Sequence, residues 1–173
     1  GPNCENVVIR GKGTIASGGR ELAEKIIADE QEHLKDYLAE HAALVAECEN
    51  ERTIPGRVRP RLINMSNCRN VWVHGLTLKN GASWNQHMIY SDNITTDHCR
   101  FVSEDVWNGD GWDPDSSTNC TLFASEFSTG DDAVAIKSGK NPEGNEINRP
   151  CAHIRVFDCR SDCGHGICIG SEM

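Results

Sequence analysis

Apolar residues in this chain recur in short alternating bursts, each introduced by the same polar lettering. Asn3-Cys4-Glu5-Asn6 leads into Val7-Val8-Ile9, and Asn67-Cys68-Arg69-Asn70 leads into Val71-Trp72-Val73. Ser91-Asp92-Asn93-Ile94-Thr95-Thr96 and Ser117-Thr118-Asn119-Cys120-Thr121-Leu122 repeat the pattern, and Cys151-Ala152-His153-Ile154-Arg155-Val156 is a fifth copy. With Asn70, Asn93, Asn119 and His153 equivalent, the steps are 23, 26 and 34 residues. A second burst follows within each copy: Leu76-Thr77-Leu78, Cys99-Arg100-Phe101-Val102, then Phe123 to Phe127. Two or three short strands per unit, separated by Gly, Asn and Asp, predict a parallel β-solenoid of about five rungs. An antiparallel sandwich would need hairpin turns and more even strands. Asn80-Gly81 and Asn108-Gly109 resemble such turns, so the sandwich stands as the alternative.

Residues 20–50 break the pattern. They are rich in Ala, Leu, Glu and Lys, and Leu22, Ile26, Leu34, Leu38, Ala42 and Val45 fall mostly at steps of three, four or eight. That spacing predicts one or two amphipathic helices near 20–48, inserted between the first rung and the second. Such an insert is expected to pack on the side or open end of the solenoid rather than to carry chemistry.

Composition narrows the picture. A chain of 173 residues with 38% hydrophobic and 25% charged residues is the size and make-up of one globular domain, here a partial β-helix spanning 1–173. No apolar run is long enough to span a bilayer. The opening Gly1-Pro2-Asn3-Cys4 shows no basic stretch leading into an apolar one, so no signal peptide is expected within it. A net charge of −9 argues against nucleic acid or an anionic membrane surface as partner. Nine cysteines are many for this length. Cys68, Cys99, Cys120 and Cys159 are expected to form an interior ladder of free thiols, Cys being among the most buried residue types.

The candidate chemistry lies in glycine-flanked turns. Asn108-Gly109-Asp110-Gly111-Trp112-Asp113-Pro114-Asp115, Gly130-Asp131-Asp132 and Gly164-His165-Gly166 place carboxylates and an imidazole where the backbone bends. Asp and Gly are also ordinary turn residues, but the set exceeds what turns need. Asp110 and Asp131 are 21 residues apart, about one solenoid turn, so rungs spaced roughly 4.8 Å should stack them on one wall. Adjacent strand residues point to opposite faces, so Asp131 and Asp132 share a site only at a bend, which Gly130 permits. Carboxyl groups of unequal proton affinity, set apart by the room for one water, are the equipment of inverting glycoside hydrolysis. His87 falls on the same wall one rung earlier, and Trp107 and Trp112 are candidates to stack on sugar rings. Arg57, Arg59 and Arg61 alternate, so on an extended segment they point the same way and suit a carboxylate ligand. Lys137 is a further cation, and Asp113 and Asp115 read as turn or support residues.

From about residue 64 to Met173 the chain resembles glycoside hydrolase family 28, the polygalacturonases and their relatives. The residues that carry the resemblance are Asn108-Gly109-Asp110-Gly111-Trp112-Asp113, Gly130-Asp131-Asp132, and Gly164-His165-Gly166 with Ile169-Gly170-Ser171. Gly109 stands where the family usually has Thr, and with Ala135-Ile136-Lys137-Ser138-Gly139-Lys140 this resembles the bacterial exo-acting branch. The resemblance implies a right-handed parallel β-helix, a pectic polysaccharide or oligogalacturonide as substrate, and inverting hydrolysis of α-1,4-linked galacturonic acid with no metal or cofactor. It implies Asp131 as general acid, Asp110 and Asp132 as holders of the water, and His165 beside the acid. Asn108, His87, Arg59, Lys137 and Trp112 are then the expected substrate contacts. Rhamnogalacturonan or xylogalacturonan hydrolysis, or a non-catalytic glycan-binding solenoid, are the alternatives. The family's later Arg-Ile-Lys motif does not occur before Met173. The chain is therefore expected to be a C-terminally truncated piece with little activity, associating through its uncapped end.

Overall fold

In a computed structural model of the protein, residues 2–47 and 59–172 are described. Fifteen strands form three parallel sheets of five. The first sheet holds β1 (Glu5–Arg10), β4 (Arg69–His74), β7 (Asp92–Asp97), β10 (Thr118–Phe123) and β13 (Arg155–Phe157). The second holds β2 (Thr14–Ala16), β5 (Thr77–Lys79), β8 (Arg100–Ser103), β11 (Glu126–Thr129) and β14 (Arg160–Cys163). The third holds β3 (Ile63–Ser66), β6 (Gln86–Ile89), β9 (Trp112–Asp115), β12 (Val134–Ile136) and β15 (Ile167–Ile169). Each coil contributes one strand to each sheet, which makes five coils of a parallel β-helix, right-handed as parallel crossovers are.

The polar lettering of the repeats has a backbone cause. Asn6, Asn70, Asn93, Asn119 and His153 occupy the same register position and all have φ between 53° and 56°. Asparagine tolerates this left-handed conformation better than other residues with a side chain. Its amide then stacks on the rung below: Asn70 Nδ2 donates to Asn6 Oδ1 at 3.1 Å, and Asn93 Nδ2 to Asn70 Oδ1 at 2.8 Å. Asn3, Asn67, Tyr90 and Ser116 form a second left-handed column, and His98, Ala124 and Asp158 a third. Between these bends the strands alternate, sending Val71, Val73, Leu78, Met88, Ile94, Phe101, Trp112, Leu122 and Phe127 into a single core. Phe101 stacks on Phe127, ring centroids 4.6 Å apart and planes within 3°.

The insert is helical, as its periodicity predicts: α1 (Gly19–Glu40) and α2 (Ala42–Glu47). Leu22, Ile26, Leu34 and Leu38 are half-buried along one side, and Arg20–Glu24 and Glu21–Lys25 pairs brace the exposed side at 2.8 and 2.7 Å. It lies between β2 and β3, inside the first coil rather than after it. The insert therefore leaves the solenoid at the corner between the second and third sheets. A short helix, α3 (Glu143–Ile147), lengthens the fourth coil's exit and explains the 34-residue step.

The expected cysteine ladder is corrected by the register. No disulfide joins the eight described cysteines, and the four expected in one ladder, Cys68, Cys99, Cys120 and Cys159, stand in three columns. Cys4, Cys68 and Cys151 share one with Ser91 and Ser117, where Ser91 Oγ accepts the Cys68 amide at 3.0 Å. Cys120 lies below Ile94 on a strand, and Cys99, Ser125 and Cys159 share a third column. Cys159 is exposed, not buried, because no coil among the described residues stacks beyond it.

The left-handed column makes a testable demand. Asn93→Ala should lower the unfolding free energy by about 1–2 kcal/mol, from an alanine held at positive φ and a lost ladder bond. Asn93→Gly should cost less, since glycine adopts this φ freely. Urea unfolding of the two variants measures the difference, and an equal cost would remove backbone strain as the cause.

Candidate active site

Register partners place the motif residues in one column. Gln86, Trp112, Val134 and Ile167 align across the third sheet. Two residues earlier in each coil stand Trp84, Asp110, Asp132 and His165. All lie at the corner where the second sheet turns into the third, and glycines allow the close approach. A Cβ on Gly130 would run into the backbone carbonyls of Val106, Glu104 and Ser103, and one on Gly109 into those of Val106 and Ser103. Residues 130 and 131 form a bend, which lets Asp131 and Asp132 serve the same side.

The described geometry brings Asp110, Asp131, Asp132, His165, Asn108, Arg59 and Lys137 to this corner. His165 Nδ1 lies 3.2 Å from Asp131 Oδ1 and 3.1 Å from Asp132 Oδ1, on a ring open to solvent. Asn108 sits at φ 52° and donates its backbone N–H to Asp131 Oδ2 at 3.1 Å. Arg59 donates to the carbonyls of Ala82 and Trp107 at 2.9 and 3.0 Å and to Asn108 Oδ1, with its guanidinium 5.1 Å from the Trp107 ring. Arg57 lies outside the described residues.

Lys137 is present but is not an open cation. It is buried, 3.9 Å from Asp110, 3.8 Å from Asp113 and 3.1 Å from Glu172, with the Trp84 ring 4.6 Å away. It acts on the carboxyl groups from beneath, and its burial leaves no room for a direct grip on substrate. Trp112 must be corrected outright. It shares a register position with Gln86 and Val134, which point inward, so its indole is fully buried and donates to Thr96 Oγ1 at 3.1 Å. It cannot stack on a sugar. His87 does share the wall, one coil back, but it is buried and committed, with Nδ1 2.7 Å from Asn64 Oδ1 and Nε2 3.3 Å from Asp115 Oδ2. It props up Asp115 rather than meeting a ligand.

Four contributors, Asp113, Asp115, Cys168 and Glu172, are not among the expected ligand contacts, and Arg61, expected from its alternation with Arg59, joins them. Asp113 and Asp115 belong to strand β9 rather than to a turn. Asp113 is fully buried, and among the described residues its oxygens make no hydrogen bond, with Lys137 3.8 Å away. Burial, then the charge of Asp110, pushes its carboxyl well above the usual carboxylate range. Arg61 stacks 4.3 Å over Trp84, and its buried Nε–H has no acceptor among the described residues. Glu172 pins Lys137, and Cys168 donates to Asp132 Oδ1 at 3.0 Å, a bond that with burial lifts the thiol to about 11. The alternation of Arg59 with Arg61 was the available signal for Arg61. Nothing local marks Cys168 or Glu172, which arrive from the last coil by register alone.

Asp110 holds the key charge. Burial, against the opposing pull of Lys137 and with the added charge of Asp131, raises it from 3.8 to about 7. A raised acid adds stability that is complete below its unfolded value of 3.8 and is lost as pH climbs through about 7. Asp110→Asn removes that titration. The variant should gain on its parent as pH rises across this window, by on the order of 2–4 kcal/mol at the upper end. Thermal melts at a series of pH values read the difference, and a pH-independent gap would contradict the raised proton affinity.

Comparison with known proteins identifies the family. The profile described as Glycosyl hydrolases family 28 matches residues 1–173. A probable polygalacturonase of Vitis vinifera is 36% identical over 118 residues, covering 66% of this chain and 24% of that protein. An exo-poly-alpha-D-galacturonosidase of Dickeya chrysanthemi is 26% identical over 97% of this chain and 30% of its own length. The crystal structure of a hyperthermoactive exopolygalacturonase from Thermotoga maritima superposes with a TM-score of 0.79 at 33% identity, over 99% of this chain and 42% of that one. The chain thus spans between 24% and 42% of the length of these relatives. A profile match along the whole chain shows that the chain belongs to the glycosyl hydrolases of family 28.

Proposed function

We propose that this chain carries acid–base machinery for inverting hydrolysis of α-1,4-galacturonosyl linkages in pectic polysaccharide. The observation that carries the reading is the column itself: Asp110, Asp132 and His165 from three successive coils, with Asp131 beside them and His165 within 3.2 Å of both its carboxylates. Inversion in one displacement needs an acid on the leaving oxygen and a base on a water at the opposite face. Asp131, at the solvent side and aligned by the Asn108 amide, is placed to protonate the glycosidic oxygen. Asp110 and Asp132 hold the water, and an Asp110 carboxylate raised to about 7 is a stronger base than an ordinary one once ionised. The substrate's own carboxylate finds Arg59 and Arg61 at the rim. Trp107 is the exposed aromatic surface nearby.

Incubation with oligogalacturonides, followed by NMR of the first-formed product, should show inverted anomeric configuration. Asp131→Asn should lower turnover by about 10³-fold or more. Retention of configuration, or turnover indifferent to that substitution, would refute the assignment. The pH profile offers a second check. Rate should fall as pH drops below about 7, where Asp110 gains its proton. Because the Lys137 charge holds Asp110 down, Lys137→Met should move that limb to higher pH.

A further inference from the structure

A second cluster of titratable groups lies at the opposite corner of the coil, between the first sheet and the second. His74 ends β4, and Asp97 ends β7 in register with it one coil on. His98 follows at φ 49°, a left-handed bend that swings its ring back over Asp97. Both imidazoles converge on one atom: His74 Nδ1 and His98 Nδ1 each lie 2.6 Å from Asp97 Oδ1. The other carboxylate oxygen, Oδ2, accepts the indole N–H of Trp72 at 2.5 Å. The Asp97 side chain is only 5% exposed, while the His74 and His98 rings are 37% and 59% exposed. The three ligand atoms lie within 4.8 Å of one another.

We propose that His74, Asp97 and His98 form a binding site for a first-row divalent transition ion of the zinc class. Two imidazoles and one carboxylate are a donor set for such ions, whereas magnesium and calcium prefer oxygen ligands throughout. Tetrahedral coordination at about 2.0–2.2 Å would set the ligand atoms roughly 3.4 Å apart, so the cluster opens by less than an ångström. Without an ion, each Nδ1 donates its proton to Asp97 Oδ1. On binding an ion that proton is released to solvent and the ring keeps or takes one on its exposed Nε2, which frees the Nδ1 lone pair and leaves the fourth position to water. The Trp72 N–H orients the carboxylate from behind and leaves Oδ1 for the ion, the arrangement that fixes a metal-bound carboxylate. Phe123, edge-on to His98 with centroids 6.0 Å apart, walls the site on the next coil. An ion here joins the second coil to the third and takes no part in the carbohydrate chemistry at the other corner. In the sequence His74 and Asp97 are 23 residues apart, so no ligand spacing advertises the site and only the coil register creates it.

Titration of the protein with ZnCl₂ in a calorimeter, and with MgCl₂ as contrast, tests the site. We expect one equivalent of zinc at micromolar affinity and no response to magnesium. His74→Ala and His98→Ala should each weaken binding at least tenfold, whereas His165→Ala should leave it unchanged. Co²⁺ loading should give visible d–d absorption that both His74 and His98 variants lose, a readout independent of folding enthalpy. Absence of saturable zinc binding by the parent protein overturns the proposal. So does binding that survives both substitutions, which would assign the ion to thiols, or binding lost in His165→Ala, which would assign it to the carbohydrate site.

Discussion

Everything in this molecule hangs on the left-handed bends that recur in register from coil to coil. A parallel ladder tolerates no slippage when both faces of a strand are specified, because a one-residue shift exchanges interior for exterior. The bends at Asn6, Asn70, Asn93, Asn119 and His153 hold each coil against the next at one register position. Side-chain amides then bond directly from rung to rung. Once that register holds, residues far apart in sequence become vertical neighbours about 4.8 Å apart. Asp110, Asp132 and His165 are brought together in this way, and so are His74 and Asp97.

The carbohydrate corner concentrates charge that burial would otherwise forbid. Asp110, Asp113 and Lys137 are all buried. Isolated, each would carry a desolvation cost of several kcal/mol. They coexist because burial raises the proton affinity of Asp113 and the single ammonium of Lys137 lies within 3.9 Å of Asp110, Asp113 and Glu172. A pre-charged, poorly hydrated wall of this kind does not have to reorganise when charge develops at a reacting bond.

The first sheet and the insert were legible in the sequence because their signals are local. The asparagine lettering reports a backbone angle, and the three- and four-residue steps of residues 20–47 report a helix face. The third sheet was much less visible. Gln86-His87-Met88-Ile89 mixes polar and apolar residues on both faces, so it does not read as an alternating strand. Trp112-Asp113-Pro114-Asp115 does alternate, but a proline and two carboxylates in four residues read as a turn, and that hides the inward parity of Trp112. Its neighbours in the motif are polar, but its side chain follows the inward parity of Gln86 and Val134. The carboxylates Asp110, Asp131 and Asp132 stand out because glycines flank them, and Arg61 because it alternates with Arg59, while Asp113, Glu172 and Cys168 depend on which coil lies beside which. The cysteine columns show the same limit. Identity suggested one ladder, and register divides it among three.

The helical insert departs and returns at the same indole: Arg20, beside its start, and Arg59, beyond its end, lie 5.9 and 5.1 Å from the Trp107 ring. A loop whose two ends are fastened at one point imposes its length on nothing else. Closing a segment of about 40 residues costs only about 0.6 kcal/mol less than closing one twice as long. The insert can therefore lengthen, shorten or change its surface without disturbing the coil register or the carboxylate column.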